Sequence, residues 1–224
     1  MGIVENVPLN EGLAERRFLP AERSGETGTG VRLGFTSVAG DYFSTMGIRL
    51  LEGRVFTPAE QLNNPGYVIV NRSAANLLWP GRSAIGGRLR REDVPAWETV
   101  IGVVEDVMQD NFRDPVPAAV YYPLVGQPPA EWIISSPAYV VKTPRAETIA
   151  PEIRALVREV APGAPMYRVY TMEGLAAESR LPPRAPATPL PAPPAPPVRP
   201  PSPAPAAPAR RAPCAPRSPA SARP

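Results

Sequence analysis

The side chains best suited by type to do chemistry crowd one short stretch: Glu105, Asp106, Asp110 and Asp114, with Asn111 among them. Clustered oxygen ligands can hold calcium, and paired carboxylates can share acid–base work. The spacing does not match an EF-hand loop, and an apolar run precedes the cluster, which favours solvated residues at the end of a strand. Gly81-Arg82-Ser83-Ala84-Ile85-Gly86-Gly87-Arg88 has the glycine spacing of a phosphate-binding loop. That loop needs Lys and then Ser or Thr after its second glycine, where this chain has Gly87 and Arg88, so a turn is the better reading. Gly25-Glu26-Thr27-Gly28-Thr29-Gly30 has no lysine after it and reads as a flexible hairpin loop. Ser135-Ser136 lacks a base to activate it, because the chain of 224 residues contains no histidine.

That absence removes the commonest general base, proton shuttle and metal ligand together. Cys214 is the one cysteine, so disulfides within the chain and zinc sites built from Cys and His are excluded. No cofactor is expected. Leu181–Pro224 holds 18 of the 34 prolines and six of the 24 basic residues, with no acidic or aromatic residue. A stretch of this kind buries too little apolar surface to offset the entropy of ordering it, so a disordered tail is expected over 180–224. The tail also distorts the net charge of +3: the rest of the chain carries 18 basic against 21 acidic residues, a net charge of −3. A mildly acidic body argues against a nucleic-acid partner, which needs a clustered basic face. No run of about 18 apolar residues marks a membrane span. The start, Met1-Gly2-Ile3-Val4-Glu5-Asn6, lacks the basic and long apolar regions of a signal peptide.

The elements that would position these residues are legible in part. Residues 11–30 are polar and end in the Gly25–Gly30 loop, and Val31 to Val38 reads as a strand. Asp41 to Met46 is a short helical turn closed by Gly47, with extended chain from Ile48 to Phe56. Thr57-Pro58-Ala59-Glu60 is a helix start: Thr57 caps, Pro58 suits the first turn and Glu60 completes a capping box. After the turn Asn63-Asn64-Pro65-Gly66, Tyr67 to Val70 is a strand, and Asn71 caps a helix through Leu78 that Trp79-Pro80-Gly81 stops. Thr99 to Val107, Ala118 to Leu124 and Tyr139 to Lys142 read as strands. Thr148 to Val160 is the strongest helix, with Ile149, Ile153, Leu156, Val157 and Val160 on one face. Met166 to Tyr170 reads as a last strand, and Thr171 as the cap of a helix beginning at Met172. Tyr42, Phe43 and Trp79 fit a core better than a ligand platform. The whole is a mixed α+β fold, its strands too irregularly spaced for a clean βαβ series.

A series of phrases carries more than any single site. Val38-Ala39-Gly40-Asp41-Tyr42-Phe43-Ser44-Thr45-Met46-Gly47-Ile48-Arg49-Leu50-Leu51-Glu52-Gly53-Arg54-Val55-Phe56 opens it. Then come Val68-Ile69-Val70-Asn71, Leu78-Trp79-Pro80-Gly81, Ile85-Gly86-Gly87-Arg88-Leu89, Val100-Ile101-Gly102-Val103-Val104-Glu105-Asp106-Val107, Val120-Tyr121-Tyr122-Pro123-Leu124 and Val169-Tyr170-Thr171-Met172-Glu173. In this order they resemble the MacB-like periplasmic core domain of FtsX/MacB-type ABC transporter permeases, over about Val31 to Ser179. Similar phrases occur in the acidobacterial-type duplicated permeases, so the resemblance points to that subgroup.

The resemblance implies a Porter-like α/β part with a mixed sheet and an inserted, β-rich Sabre-like part. The core would span 31–179, with 1–30 as a partial N-terminal segment. It implies an extracytoplasmic, non-catalytic domain of an inner-membrane permease that couples a partner ATPase's cycle to transport or mechanotransmission. An ABC ATPase subunit or domain and a second permease copy are the implied partners, with a periplasmic adaptor or outer-membrane protein beside them. The matching residues Asp41, Tyr42, Phe43, Met46, Gly47, Gly53, Arg54, Asn71, Trp79, Pro80, Gly81, Gly86, Gly102, Val103, Asp106, Tyr121 and Pro123 would then be structural. Two departures stand out: the family's first membrane helix and the opening strand and helix of its core do not precede Met1, and its second membrane helix does not follow Ser179. The tail is rich in residues with middle-C codons, and the body uses Lys142 as its one lysine against many arginines, which suggests a GC-rich gene read out of frame beyond residue 179. A Pro/Ala-rich linker is the alternative, and with it a free-standing soluble extracytoplasmic binding module. A small hydrolase using Asp106 to Asp114 is a third reading, weakened by the lack of histidine.

Overall fold

Strand β3 (Val31–Gly40) is the axis on which the sheet is built. The protein is described by a computed structural model covering residues 1–10, 12–23, 30–109, 115–124, 137–163, 166 and 168–180. Along one edge of β3 run two antiparallel partners. One is β2 (Ala14–Pro20), with Ala14 opposite Phe35 and Phe18 opposite Val31. The other is β1 (Gly2–Val4), with Val4 opposite Val38. The other edge pairs in parallel with β8 (Ala119–Pro123), from Gly34 beside Ala119 to Val38 beside Pro123. β8 runs antiparallel to β5 (Tyr67–Asn71), and β5 parallel to β7 (Glu98–Val104). β6 (Arg88–Arg91) pairs with the first residues of β7 and also with Phe18–Pro20 of β2. The pairings β2–β3–β8–β5–β7–β6–β2 therefore close on themselves. β4 (Leu50–Gly53) lies on the later part of β7, and β9 (Ala138–Val140) extends the sheet beyond β1.

Alternation along these strands sorts the core into two clusters, because successive side chains point to opposite faces. Leu33, Phe35, Val68, Val70, Val100, Val120 and Tyr122 face one side with Phe18 and Leu89. The helix α3 (Arg72–Leu78) lays Ala74 and Leu78 on that side, with Trp79 beside them. Val4, Val38, Ile69, Val104, Ala119 and Tyr121 face the other, covered by Tyr42 and Phe43 of the short helix α1 (Tyr42–Met46). The backbone of β4 approaches β7 so closely that only glycine fits at the contact. A Cβ on Gly102 would lie 2.3 Å from the Arg54 carbonyl oxygen, and one on Gly53, at φ 73°, would lie 2.2 Å from that of Ile101.

The local start and stop signals form as chemistry dictates. Helix α2 (Pro58–Asn63) begins with a reciprocal capping box: the Glu60 amide donates to Thr57 Oγ1 at 3.3 Å, and the Thr57 amide to Glu60 Oε2 at 2.8 Å. Gly47 closes α1 in the left-handed region at φ 75°. Asn71 caps α3 through its side chain. Helix α4 (Ala150–Val160) carries Pro151 in its first turn, and α5 (Met172–Arg180) starts from Thr171, whose Oγ1 accepts from the Gly174 amide at 3.1 Å.

Several expectations need correction. Within the polar stretch 11–30, Ala14–Pro20 is a strand whose charged residues face outward: Arg32 pairs with Glu15 and Arg17 with Glu92, while Phe18 is buried. Charge on its exposed face hid it. Arg88–Arg91 and Gly2–Val4 form strands for the same kind of reason, one masked by arginines and the other by its three-residue length. Met166 and Arg168–Tyr170 form no strand; Val169 and Tyr170 are exposed, and β propensity expresses itself only where a strand finds an edge and a half-buried face. Regular structure covers only Leu50–Gly53 of the extended stretch 48–56, and β7 ends at Val104 rather than Val107. Two parallel pairs do occur, β3 with β8 and β5 with β7, the second joined by a crossover through α3 and β6. The apolar face of α4 forms on a helix with no buried residue: Leu156 is 58% and Val160 75% exposed.

Candidate functional site

The singled-out residues fall into two groups joined by Asn71. Asn71 is fully buried at the point where β5 ends, α3 begins and β8 passes. Its Oδ1 accepts from the amides of Ala74 and Ala119, both at 2.9 Å, and its Nδ2 donates to the Pro117 carbonyl at 2.8 Å. One amide side chain thus ties three elements together.

On one side of it, Tyr42, Phe43 and Tyr121 form an edge-to-face stack, with centroids 5.4 and 5.2 Å apart. Among the described residues the buried Tyr42 and Tyr121 hydroxyls have no hydrogen-bond partner, and burial pushes both phenols well above the ordinary tyrosine range. Asp106 accepts the Ser73 amide at 2.9 Å at the start of α3. Glu105 pairs with Arg49, and with Arg72 at 3.6 Å, which holds its carboxyl below the usual range. Both carboxylates stay half-exposed just after the strand, engaged by the helix amide and the arginines. Asp41 lies beside the N-terminal amine at 3.9 Å, and Pro123 pairs opposite Val38 in β8.

On the other side, Trp79 is buried and its indole N–H donates to Glu22 at 3.1 Å, an oxygen it shares with Arg82 at 2.9 Å. Pro80 and Gly81 turn the chain away after it, and Gly86 sits in the left-handed region at φ 78°. Val103 joins the same cluster from β7. Arg54 makes two bonds of 2.7 Å to Glu60 and lies 5.6 Å from the Tyr67 ring centre. The guanidinium and the Thr57 bonds hold the Glu60 carboxyl down at about 2.

Two features gave no warning in the sequence. Glu98, at the start of β7, is packed in so that burial raises its carboxyl to about 7, against the hydrogen bond of 2.7 Å from the Tyr122 hydroxyl and the nearby Arg91. A cleft of about 290 Å³ opens where four chain segments meet, lined by Pro8 and Leu9, by Met46, Gly47 and Ile48, by Glu105 to Met108, and by Met172. Its lining is scattered over the chain, so no local spacing could reveal it. Asp110, Asn111 and Asp114 lie outside the described residues, as do Gly25, Gly28, Ser135, Ser136, Cys214 and the whole tail from Leu181. Among the described residues, no group of three or more His, Cys, Asp or Glu is arranged to hold a metal ion, and no helix is long and apolar enough to cross a membrane.

The model of the MacB-like periplasmic core domain matches residues 3–167. No curated protein matches the chain. Among solved structures, the extracellular domain of the noncanonic ABC-type transporter YknZ from Gram-positive bacteria is 15% identical, with a TM-score of 0.39 over 55% of this chain and 54% of that one. The periplasmic region of MacB from Actinobacillus actinomycetemcomitans is 14% identical, with a TM-score of 0.47 over 70% of this chain and 66% of that one. A domain described as that of a permease protein from Porphyromonas gingivalis is 17% identical, with a TM-score of 0.48 over 78% and 81%. The chain thus spans just over half of the first of these and about two thirds of the second.

Proposed function

This chain belongs to the MacB-like periplasmic core domain family, and from that premise we propose that it is the extracytoplasmic, non-catalytic domain of an ABC transporter permease. On this reading it transmits the conformational cycle of a partner ATPase across the membrane, to transport or to mechanical work. The match of the family model over residues 3–167 carries the reading. The geometry agrees with a mechanical role: the residues shared with the family motif serve as caps, turns and core rather than converging on a reacting centre. Asn71 locks three elements, Trp79 anchors one cluster, and Gly53 and Gly102 allow two backbones to touch. The closed circuit of β2, β3, β8, β5, β7 and β6 is the β-rich Sabre-like part on this reading. β1, β9 and α4 belong to the Porter-like part. The core runs over 31–179, with 1–30 as its N-terminal segment and 180–224 as a tail. Its partners are an ABC ATPase subunit or domain, a second permease copy, and an adaptor or outer-membrane protein.

The test uses the parent permease assembled with its ATPase in nanodiscs, with a fluorophore at Ser44→Cys, exposed on α1, and an acceptor in the lipid. Energy transfer should change between nucleotide-free and trapped ATP states. Unchanged transfer in an assembly that still hydrolyses ATP would overturn the coupling role.

A further inference from the structure

Strand β6 presents two arginines that no carboxylate neutralises among the described residues. Arg88 is exposed and Arg90 half-buried. They stand two positions apart on the strand, so their side chains leave the same face about 7 Å from each other. Leu89, between them, is buried on the other face, where it lies opposite Glu98. Trp97, the residue before Glu98, serves both arginines: the guanidinium carbons of Arg88 and Arg90 lie over its ring, 5.5 and 5.3 Å from the centre. One ring thus gathers both cations about a common point, and its negative face eases their repulsion. The neighbouring carboxylates are engaged elsewhere. Glu92 pairs with Arg17 at 3.1 Å, Asp93 with Arg91 at 3.2 Å, and Glu98 accepts from the Tyr122 hydroxyl at 2.7 Å. Among the described residues Arg88 has no hydrogen bond, and Arg90 donates through Nη1 alone, to the carbonyls of Arg91, Glu92 and Val94 at 3.3 to 3.4 Å. Those bonds hold Arg90 in place and leave its Nε and Nη2 available. Guanidinium forks match the oxygens of a tetrahedral oxyanion, and two unit cations match a dianion.

We propose that Arg88 and Arg90, steadied by Trp97, form a binding site for a doubly charged tetrahedral oxyanion, the phosphate or sulfate group of a small ion or of a lipid headgroup. This assignment is independent of the coupling role. The two guanidiniums supply the charge and the hydrogen-bond donors, and the ring holds them at a spacing that lets one anion touch both.

The experiment titrates sodium phosphate or sodium sulfate into the full chain labelled with 15N, with sodium chloride at matched ionic strength as the control. The Nε–H signals of arginine and the indole signals of tryptophan are followed at about pH 7.5, where phosphate is mainly dianionic. The expected result is a saturating shift of Arg88, Arg90 and Trp97 together, absent with chloride. Arg88→Gln and Arg90→Gln should each weaken binding about fivefold or more, and Arg158→Gln, exposed on α4, should leave it unchanged. A second arm floats the chain with phosphatidylcholine vesicles, with and without phosphatidic acid. Capture that needs both phosphatidic acid and Arg88 assigns the site to a lipid phosphate; saturation by the free ions without capture assigns it to a soluble one. No response in either arm would overturn the site, as would shifts that chloride reproduces or that spread equally over the arginines of the tail. So would an Arg88→Gln, Arg90→Gln double variant, folded by circular dichroism, that binds as tightly as the parent.

Discussion

Glu98 is where a single side chain sets a measurable property of the whole fold. Its folded carboxyl is raised to about 7, against an ordinary value of 4.5, by burial beside Tyr122. A raised acid binds its proton more readily in the folded state. Its favourable contribution is therefore complete below about 4.5 and is lost as pH rises through about 7. Glu60 acts in the opposite sense: held down at about 2, it contributes above 4.5 and fails as pH falls toward 2. The two together place maximum stability in mildly acidic solution. Glu98→Gln keeps an acceptor for the Tyr122 hydroxyl and removes the titration. Urea unfolding of the parent should show stability falling by on the order of 1–3 kcal/mol between pH 5 and pH 8. The variant should be flat over that range and more stable at pH 8. A parent already flat would show that Glu98 is hydrated in solution. Asn71 shows how much one residue's local reading omits. The cap on Ala74 follows from its position before a helix, but the bonds to Ala119 and Pro117 depend on a strand that lies 46 to 48 positions further on.

At the scale of elements, α4 and α5 make an instructive pair. α4 has the stronger apolar stripe in sequence, yet none of its residues is buried, whereas α5 inserts Leu175 with 2% exposure. Amphipathicity records that a helix has a face to bury, and tertiary contact decides whether it does so here. The energetic consequence is direct. Leu175→Ala should cost about 2–4 kcal/mol, as for a core leucine. Leu156→Ser, on the stripe of α4, should cost under about 0.5 kcal/mol. Denaturant midpoints of the two variants would decide it; a large loss at Leu156 would mean that α4 is packed in solution. α2 needs no such stripe, since its capping box, the Arg54–Glu60 pair and the bond of 2.7 Å from the Gly40 amide to Gln61 pin it to the end of β3.

For the molecule as a whole, the closed circuit of pairings governs where stability resides. Each strand of β2, β3, β8, β5, β7 and β6 has a partner on both sides, while among the described residues β9 pairs on one side alone, with β1, and its Tyr139 is 66% exposed. Local opening is cheapest where few buried contacts and few shared hydrogen bonds hold the chain. Native-state hydrogen exchange should therefore give amides of β3, β5, β7 and β8 protection close to the global unfolding free energy. Those of β9 and α4 should exchange earlier. Equal protection of β9 and β8 would show that the other side of β9 is covered in solution.

By itself the sequence determined what a few adjacent residues can encode. The Thr57–Glu60 box, the Asn71 cap, the Gly47 stop, the β-branched strands at Val68 and Val100, and the ordered phrases that carry the family are all written over short spans. These signals work because backbone geometry and capping are settled within one turn of helix or one strand. Only the tertiary structure decided that Ala14–Pro20 and Arg88–Arg91 are strands, because their charged residues face water and their evidence lies in distant partners. It also decided that Met166 and Arg168–Tyr170 form no strand, that no residue of α4 is buried, and that Glu98 packs beside Tyr122. Pairing and burial are properties of surfaces assembled from far along the chain, and no window of sequence contains both sides of them.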